Sequence, residues 1–144
     1  MKTRSAAWAG FFTLLSTTAF GQLQPPLTDA ELSATGPARL LFAALVAGCG
    51  MADSLAKADI ARQQPFLLLA GGIAPVAYMP ADAVVEQKYQ FRYYEYGCSP
   101  PDETRVLAYN QRVFAYLTAT YSKRWLKAVR PDVVGLRDWR RTHR

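Results

Sequence analysis

From Asp102 to Tyr121 the apolar residues Val106, Tyr109, Val113, Phe114, Leu117 and Tyr121 recur at three-and-four spacing, with Arg105, Gln111 and Arg112 elsewhere on the wheel. That spacing predicts an amphipathic helix. A helix with one apolar stripe must bury it against other elements. The rest of the sequence has to supply that cover.

Two short stretches offer it. Residues 66–70, "FLLLA", form a continuous apolar run stopped by Gly71-Gly72 and Pro75, the profile of a fully buried strand. Residues 91–96, "FRYYEY", are aromatic and β-prone, and Gly97-Cys98-Ser99-Pro100-Pro101 ends them. Between the two, "PADAVVEQKYQ" at 80–90 places proline first, acids early and Lys88 late, as a short helix does. A strand, helix, strand order predicts a crossover unit with parallel strands. The fold class expected is therefore α/β and helix-rich, a small two-stranded parallel pair covered by long helices. A mostly α arrangement is the fallback.

Upstream, Thr28-Asp29-Ala30-Glu31 has the S/T-x-x-E order of a capping box, so a short helix is expected from 29 to about 35. Gly36-Pro37 should end it and start another. That second helix is expected to run to about Ala58 with Leu41, Leu45 and Leu55 inward, although Gly48 and Gly50 each cost about 1 kcal/mol in helix propensity. Downstream, "KRWLKAVRPD" predicts one further helical stretch, and "DVVGLRDWRRTHR" offers Val133, Val134, Leu136 and Trp139 for packing before a basic tail from about residue 137.

The first residues follow another pattern. Met1-Lys2-Thr3-Arg4, the apolar "AAWAGFFTLLSTTAF" and the small residues of "AFGQ" make the three parts of a secretory signal peptide, cleaved before Gln22. Residues 22–144 then form one small globular domain, and the expected location is periplasmic or secreted. Losing Lys2 and Arg4 takes the formal charge from +6 to +4. What is left is divided: residues 22–104 hold five basic and nine acidic side chains, and residues 105–144 hold ten and two. An exported chain rarely meets nucleic acid, so the basic third points instead to anionic lipid, lipopolysaccharide or an acidic protein. A solvated helix face with a frayed end explains the same charge without a partner.

The two cysteines, Cys49 and Cys98, favour a disulfide in an oxidising compartment. Closing a loop of roughly 50 residues would stabilise the fold by about 4 kcal/mol in the chain-entropy account. "LVAGC" at 45–49 also has the order of a lipobox, which would lipidate Cys49 and anchor the protein to a membrane. That reading has to discard the upstream signal peptide and the capped helix at Thr28.

Catalytic machinery is thin. The one histidine, His143, stands next to the last residue, where a triad finds no rigid support. Two distant cysteines and that histidine do not make a zinc site, and no calcium loop is present, so no metal or other cofactor is expected. Glu86, Glu95, Asp102 and Glu103 remain as carboxylates for acid or base work. Glu95 is the most interesting of them, because burial among tyrosines would raise its pKa. Gly71-Gly72 could rest an anion but lacks the glycine spacing of a nucleotide loop, and a plain turn explains it equally well.

The tyrosines between positions 89 and 121 are many for a domain of this size, and tyrosine suits partly dry interfaces. Arg92, Tyr93, Tyr94, Tyr96, Arg105 and Arg112 are therefore the candidates for a partner-binding surface. The leading expectation is a non-catalytic exported bacterial envelope protein that binds a protein partner, of inhibitor, immunity or assembly-accessory type. The alternatives are a small enzyme on an anionic envelope substrate and a surface-associated lipoprotein anchored through Cys49.

Overall fold

The computed structural model describes residues 24–42, 50–74 and 77–143. Residues 1–23, 43–49, 75–76 and 144 lie outside that set, and with them the expected signal peptide, Leu45, Gly48 and Cys49.

The capping box forms as the sequence predicts. Thr28 Oγ1 accepts from the Glu31 amide at 3.3 Å, and the Glu31 carboxylate accepts from the Thr28 amide at 2.8 Å, starting α1 (Asp29–Ser33). α2 (Gly36–Phe42) follows, and α3 (Gly50–Ala61) lies on the far side of the undescribed stretch. Asp59 of α3 sends its carboxylate to the amide of Gly36 at 2.8 Å. A side chain at position 36 would collide with that carboxylate and with the ring of Tyr109, so the close approach of the two helices requires glycine there.

β1 (Phe66–Leu68) and β2 (Arg92–Tyr94) pair in parallel, in the register Phe66 with Arg92, Leu67 with Tyr93 and Leu68 with Tyr94. α4 (Pro80–Tyr89) makes the crossover between them. The expected helix-rich α/β architecture is therefore the one observed. All three β1 residues are buried because both edges of the strand are occupied. On the edge away from β2, Leu69 bridges Val133 in antiparallel fashion, with the Val134 amide donating to Leu68 at 3.1 Å and the Ala70 amide to Asp132 at 2.9 Å.

α5 (Glu103–Tyr121) is the helix announced by the three-and-four spacing, and its stripe of Val106, Tyr109, Val113, Phe114 and Leu117 is buried. Asn110 lies on the same face and is completely buried, yet its amide is fully used. It accepts from the Leu68 amide and donates to the carbonyls of Leu68 and Val134, all at 2.9 Å, so one side chain binds α5 to β1 and to the segment on its far edge.

The stretch after α5 is a 3-10 turn, Arg124–Lys127, which inserts Trp125 against Phe114 with ring centroids 5.4 Å apart. The basic tail expected from about 137 is instead a helix, α6 (Leu136–Thr142). Leu136 is buried, Trp139 packs on Phe114 at 5.5 Å, and Arg140 donates to the carbonyls of Leu126 and Val129. His143 is likewise not frayed, since its ring stacks on Trp139 at 3.7 Å. Among the described residues no helix is long and apolar enough to cross a membrane.

Candidate functional site

The parallel pair leaves β2 with an outer edge, and the crossover helix covers it with a carboxylate. Glu86, one turn before the end of α4, accepts from the Tyr93 amide at 2.6 Å through Oε1 and from the Tyr78 hydroxyl at 2.5 Å through Oε2. Arg92 reaches the other way and donates to the Pro25 carbonyl at 2.5 Å, which holds the lead-in segment beside β2. Between these groups lies a groove of about 380 Å³, lined by Gln24, Tyr78, Glu86, Arg92 and Tyr93.

Below the groove, Arg130 is a half-buried clamp. Its guanidinium holds Asp132 by two bonds of 3.0 and 2.7 Å, reaches Asp82 at 3.3 Å and the Ala77 carbonyl at 3.4 Å, and lies 5.6 Å from the Tyr93 ring centroid. Burial pushes the Tyr93 hydroxyl up to about 12 although it accepts from the Arg130 amide at 3.2 Å. The Tyr78 hydroxyl is raised by desolvation and by the Glu86 carboxylate it donates to. Asp132 is held below the usual aspartate range, chiefly by the hydrogen bonds from Arg130. Both phenols therefore stay protonated at neutral pH, and Tyr78, Glu86, Arg92 and Tyr93 are each held by a neighbour.

Large apolar side chains are exposed in the segment that leads into α4, of which Tyr78 lines the groove. Ile73 is 93% exposed, Val84 62%, and Tyr78 and Met79 56% each. Three of these four are in the loop between β1 and α4 and the fourth is on the first turns of α4.

Of the six residues expected to make a partner surface, only Arg92 and Tyr93 meet at this groove. Tyr94 and Tyr96 face inward: Tyr94 packs edge-on against Phe66 at 6.1 Å, and the Tyr96 hydroxyl donates to the Pro37 carbonyl at 2.9 Å. Arg112 is spent on Asp53, 2.5 Å away across the α3 and α5 packing. Arg105 is half-buried on the first turns of α5, away from the groove lining. The Tyr and Arg side chains are thus dispersed among core, rim and helix packing.

The carboxylates separate in the same way. Asp102 caps α5, accepting from the Thr104 amide at 2.9 Å, and that hydroxyl and amide of Thr104 hold its pKa below the ordinary value. Such a group is poorly matched to proton donation near neutral pH. Glu103 lies at the edge of a small apolar cleft of about 250 Å³ past the end of β1, beside Leu69, Gly71 and Pro101. Glu95 follows β2 and is half-buried. The three do not line a common cleft. Gly71 faces the carbonyl oxygen of Gly97, with which any side chain would collide, so this glycine serves a close crossing of two loops. Cys98 is exposed, with Sγ 3.8 Å from the Gly72 carbonyl, while its expected partner Cys49 lies outside the described residues.

Tyr78, Ile73, Met79 and Val84 escaped the sequence reading. For Ile73, Tyr78 and Met79 the available signal was the sequence "IAPVAYMP", apolar with no periodicity that would turn it inward; Val84 stands outside it, on α4. Among the described residues no group of three or more His, Cys, Asp or Glu side chains is placed to hold a metal ion. No protein-family model matches the chain, and no curated protein and no solved structure is detectably similar to it.

Proposed function

We propose that the chain is an exported bacterial envelope protein that acts by binding a protein partner through the groove beside β2 and the exposed apolar side chains of the segment leading into α4. The observation that carries this reading is the exposure of Ile73, Tyr78, Met79 and Val84 in the segment leading into the crossover helix and on its first turns, of which Tyr78 also lines the groove. Large apolar side chains gathered at the surface favour a partner that covers them. Glu86, Arg92 and Tyr93 then supply the orientation that a purely apolar contact lacks.

The variant Ile73→Ser/Met79→Ser/Val84→Ser changes only exposed side chains, so its thermal unfolding should match the parent. Both proteins are immobilised and exposed to an envelope extract of the producing cells. A protein retained by the parent in near-stoichiometric amount and lost by the variant supports the reading. The same retained species on both, or none on either, removes it.

Export and the state of Cys49 belong to the same proposal. Intact mass of the chain recovered from the envelope should begin at Gln22 and rise by two hydrogens on reduction, as a Cys49 to Cys98 bridge requires. A chain beginning at a diacylglyceryl Cys49 would replace this with the lipid-anchored alternative.

A further inference from the structure

Two sets of cations in this protein contrast. Lys57, Arg62, Arg112, Arg130 and Arg141 each sit within ion-pair distance of an aspartate. Lys88, Lys123, Arg124 and Lys127 make no ion pair among the described residues, and no acidic residue occurs between Glu103 and Asp132.

These four belong to one region, where α4 and α5 both end. Lys88 and Arg124 stand on the same cleft of about 540 Å³, whose lining includes Tyr89, Thr120, Tyr121 and Ser122 and no carboxylate. The rings of Tyr89 and Tyr121 meet edge to face at 5.3 Å across it. In a 3-10 helix residues three apart eclipse one another, so Arg124 and Lys127 share the outward side of their turn while Trp125 and Leu126 are buried on the other. Lys123 immediately precedes them. The helix C-termini offset part of the mutual repulsion, because their carbonyl ends carry partial negative charge. The last turn of α5 lines the cleft itself, so Lys88 and Arg124 also have to outweigh that partial charge there.

A cleft with a cation on each wall, hydroxyls at its rim and no acid suits a phosphate oxygen set. The strip of cations continues beyond the cleft along the turn, further than one phosphate extends. We propose that this end of the molecule docks on an anionic phospholipid surface, with one headgroup phosphate seated between Lys88 and Arg124. This surface is separate from the groove beside β2, and its test does not depend on a protein partner there.

The chain beginning at Gln22 is sedimented with vesicles of phosphatidylcholine, with and without phosphatidylglycerol, at low and at raised salt. It should bind only the vesicles that contain phosphatidylglycerol, and bind less as salt screens the contact. Lys88→Gln/Arg124→Gln should weaken partitioning roughly thirtyfold, the factor that about 1 kcal/mol per cation implies. A charge-matched control, Arg39→Gln/Lys57→Gln, on the exposed faces of α2 and α3, should lose far less. Circular dichroism melts establish that each variant is folded, since both cations also favour helix ends. Should the double variant fail to fold, Arg124→Gln alone should weaken binding about fivefold by the same measure. Equal losses in the two charge-matched pairs would reduce the effect to net charge and overturn the site. So would binding to neutral vesicles, or none to the anionic ones.

Discussion

Asp59 places a carboxylate where only 1% of the residue is exposed, and its contacts explain how the fold tolerates it. The Tyr109 hydroxyl donates at 2.6 Å, the Gly36 amide at 2.8 Å and the Arg62 guanidinium at 2.8 Å. Burial nevertheless outweighs these three, and the carboxyl titrates above its ordinary value of 3.8. Between the unfolded and folded pKa values the native state then holds more proton than the unfolded chain, so stability rises as pH falls through that window. The contribution is lost as pH rises through the folded pKa. Melting temperature of the wild type should therefore climb on acidification from neutral toward the ordinary aspartate range, and Asp59→Asn should lack that climb. Asp132 has the opposite sign, because its folded pKa lies below 3.8. Its stabilisation is complete above the unfolded value and disappears as pH falls through the folded one. A wild type and Asp59→Asn pair with parallel profiles down to pH 4 would mean that folding does not raise the Asp59 pKa.

At the level of elements, α5 ends in a strained residue. Ser122 has φ 55° and ψ −145°, a region that only glycine enters at little cost, and about 1 to 3 kcal/mol is typical for other residues. Its hydroxyl gains only a local bond to the Tyr121 carbonyl at 2.6 Å. Ser122→Gly should raise stability by about 1 kcal/mol, after glycine's larger unfolded-state entropy is deducted. Urea unfolding should show a higher midpoint at unchanged slope; a lower midpoint would mean that the serine hydroxyl offsets the strain. The elements legible in the sequence were those with a local signal: the capping box at Thr28, the stripe of α5, the apolar run of β1 and the proline that opens α4. The antiparallel bridge at Val133 was not legible, because two residues carry no periodicity. α6 was read as a tail for a related reason. Arg137, Arg140 and Arg141 dominate its composition, and nothing local says that Arg140 folds back onto two backbone carbonyls. The groove beside β2 was half legible: Arg92 and Tyr93 are conspicuous in "FRYYEY", whereas Glu86 matters only because the crossover brings α4 alongside the strand edge.

Across the whole molecule, the division into an acidic first part and a basic last part resolves partly into pairing between the two. Arg112 meets Asp53, and Arg130 meets Asp82 as well as its near neighbour Asp132. The two arginines should nonetheless differ sharply in what they contribute. The Arg112 side chain is 40% exposed and Asp53 keeps Lys57 at 2.7 Å, so water and a second cation remain if Arg112 is lost. Arg112→Gln should cost less than 1 kcal/mol, and added salt should shrink even that. The Arg130 side chain is 12% exposed and joins two aspartates, the Ala77 carbonyl and the face of Tyr93. Arg130→Gln would leave two partly buried carboxylates uncompensated and should cost about 3 kcal/mol or more. Salt should rescue little of it, because ions do not reach a pair so enclosed. Urea unfolding of both variants at low and high salt reads the difference directly. Equal costs would mean that the acidic and basic parts are held together by apolar packing alone, with the Arg130 clamp contributing no more than a surface ion pair.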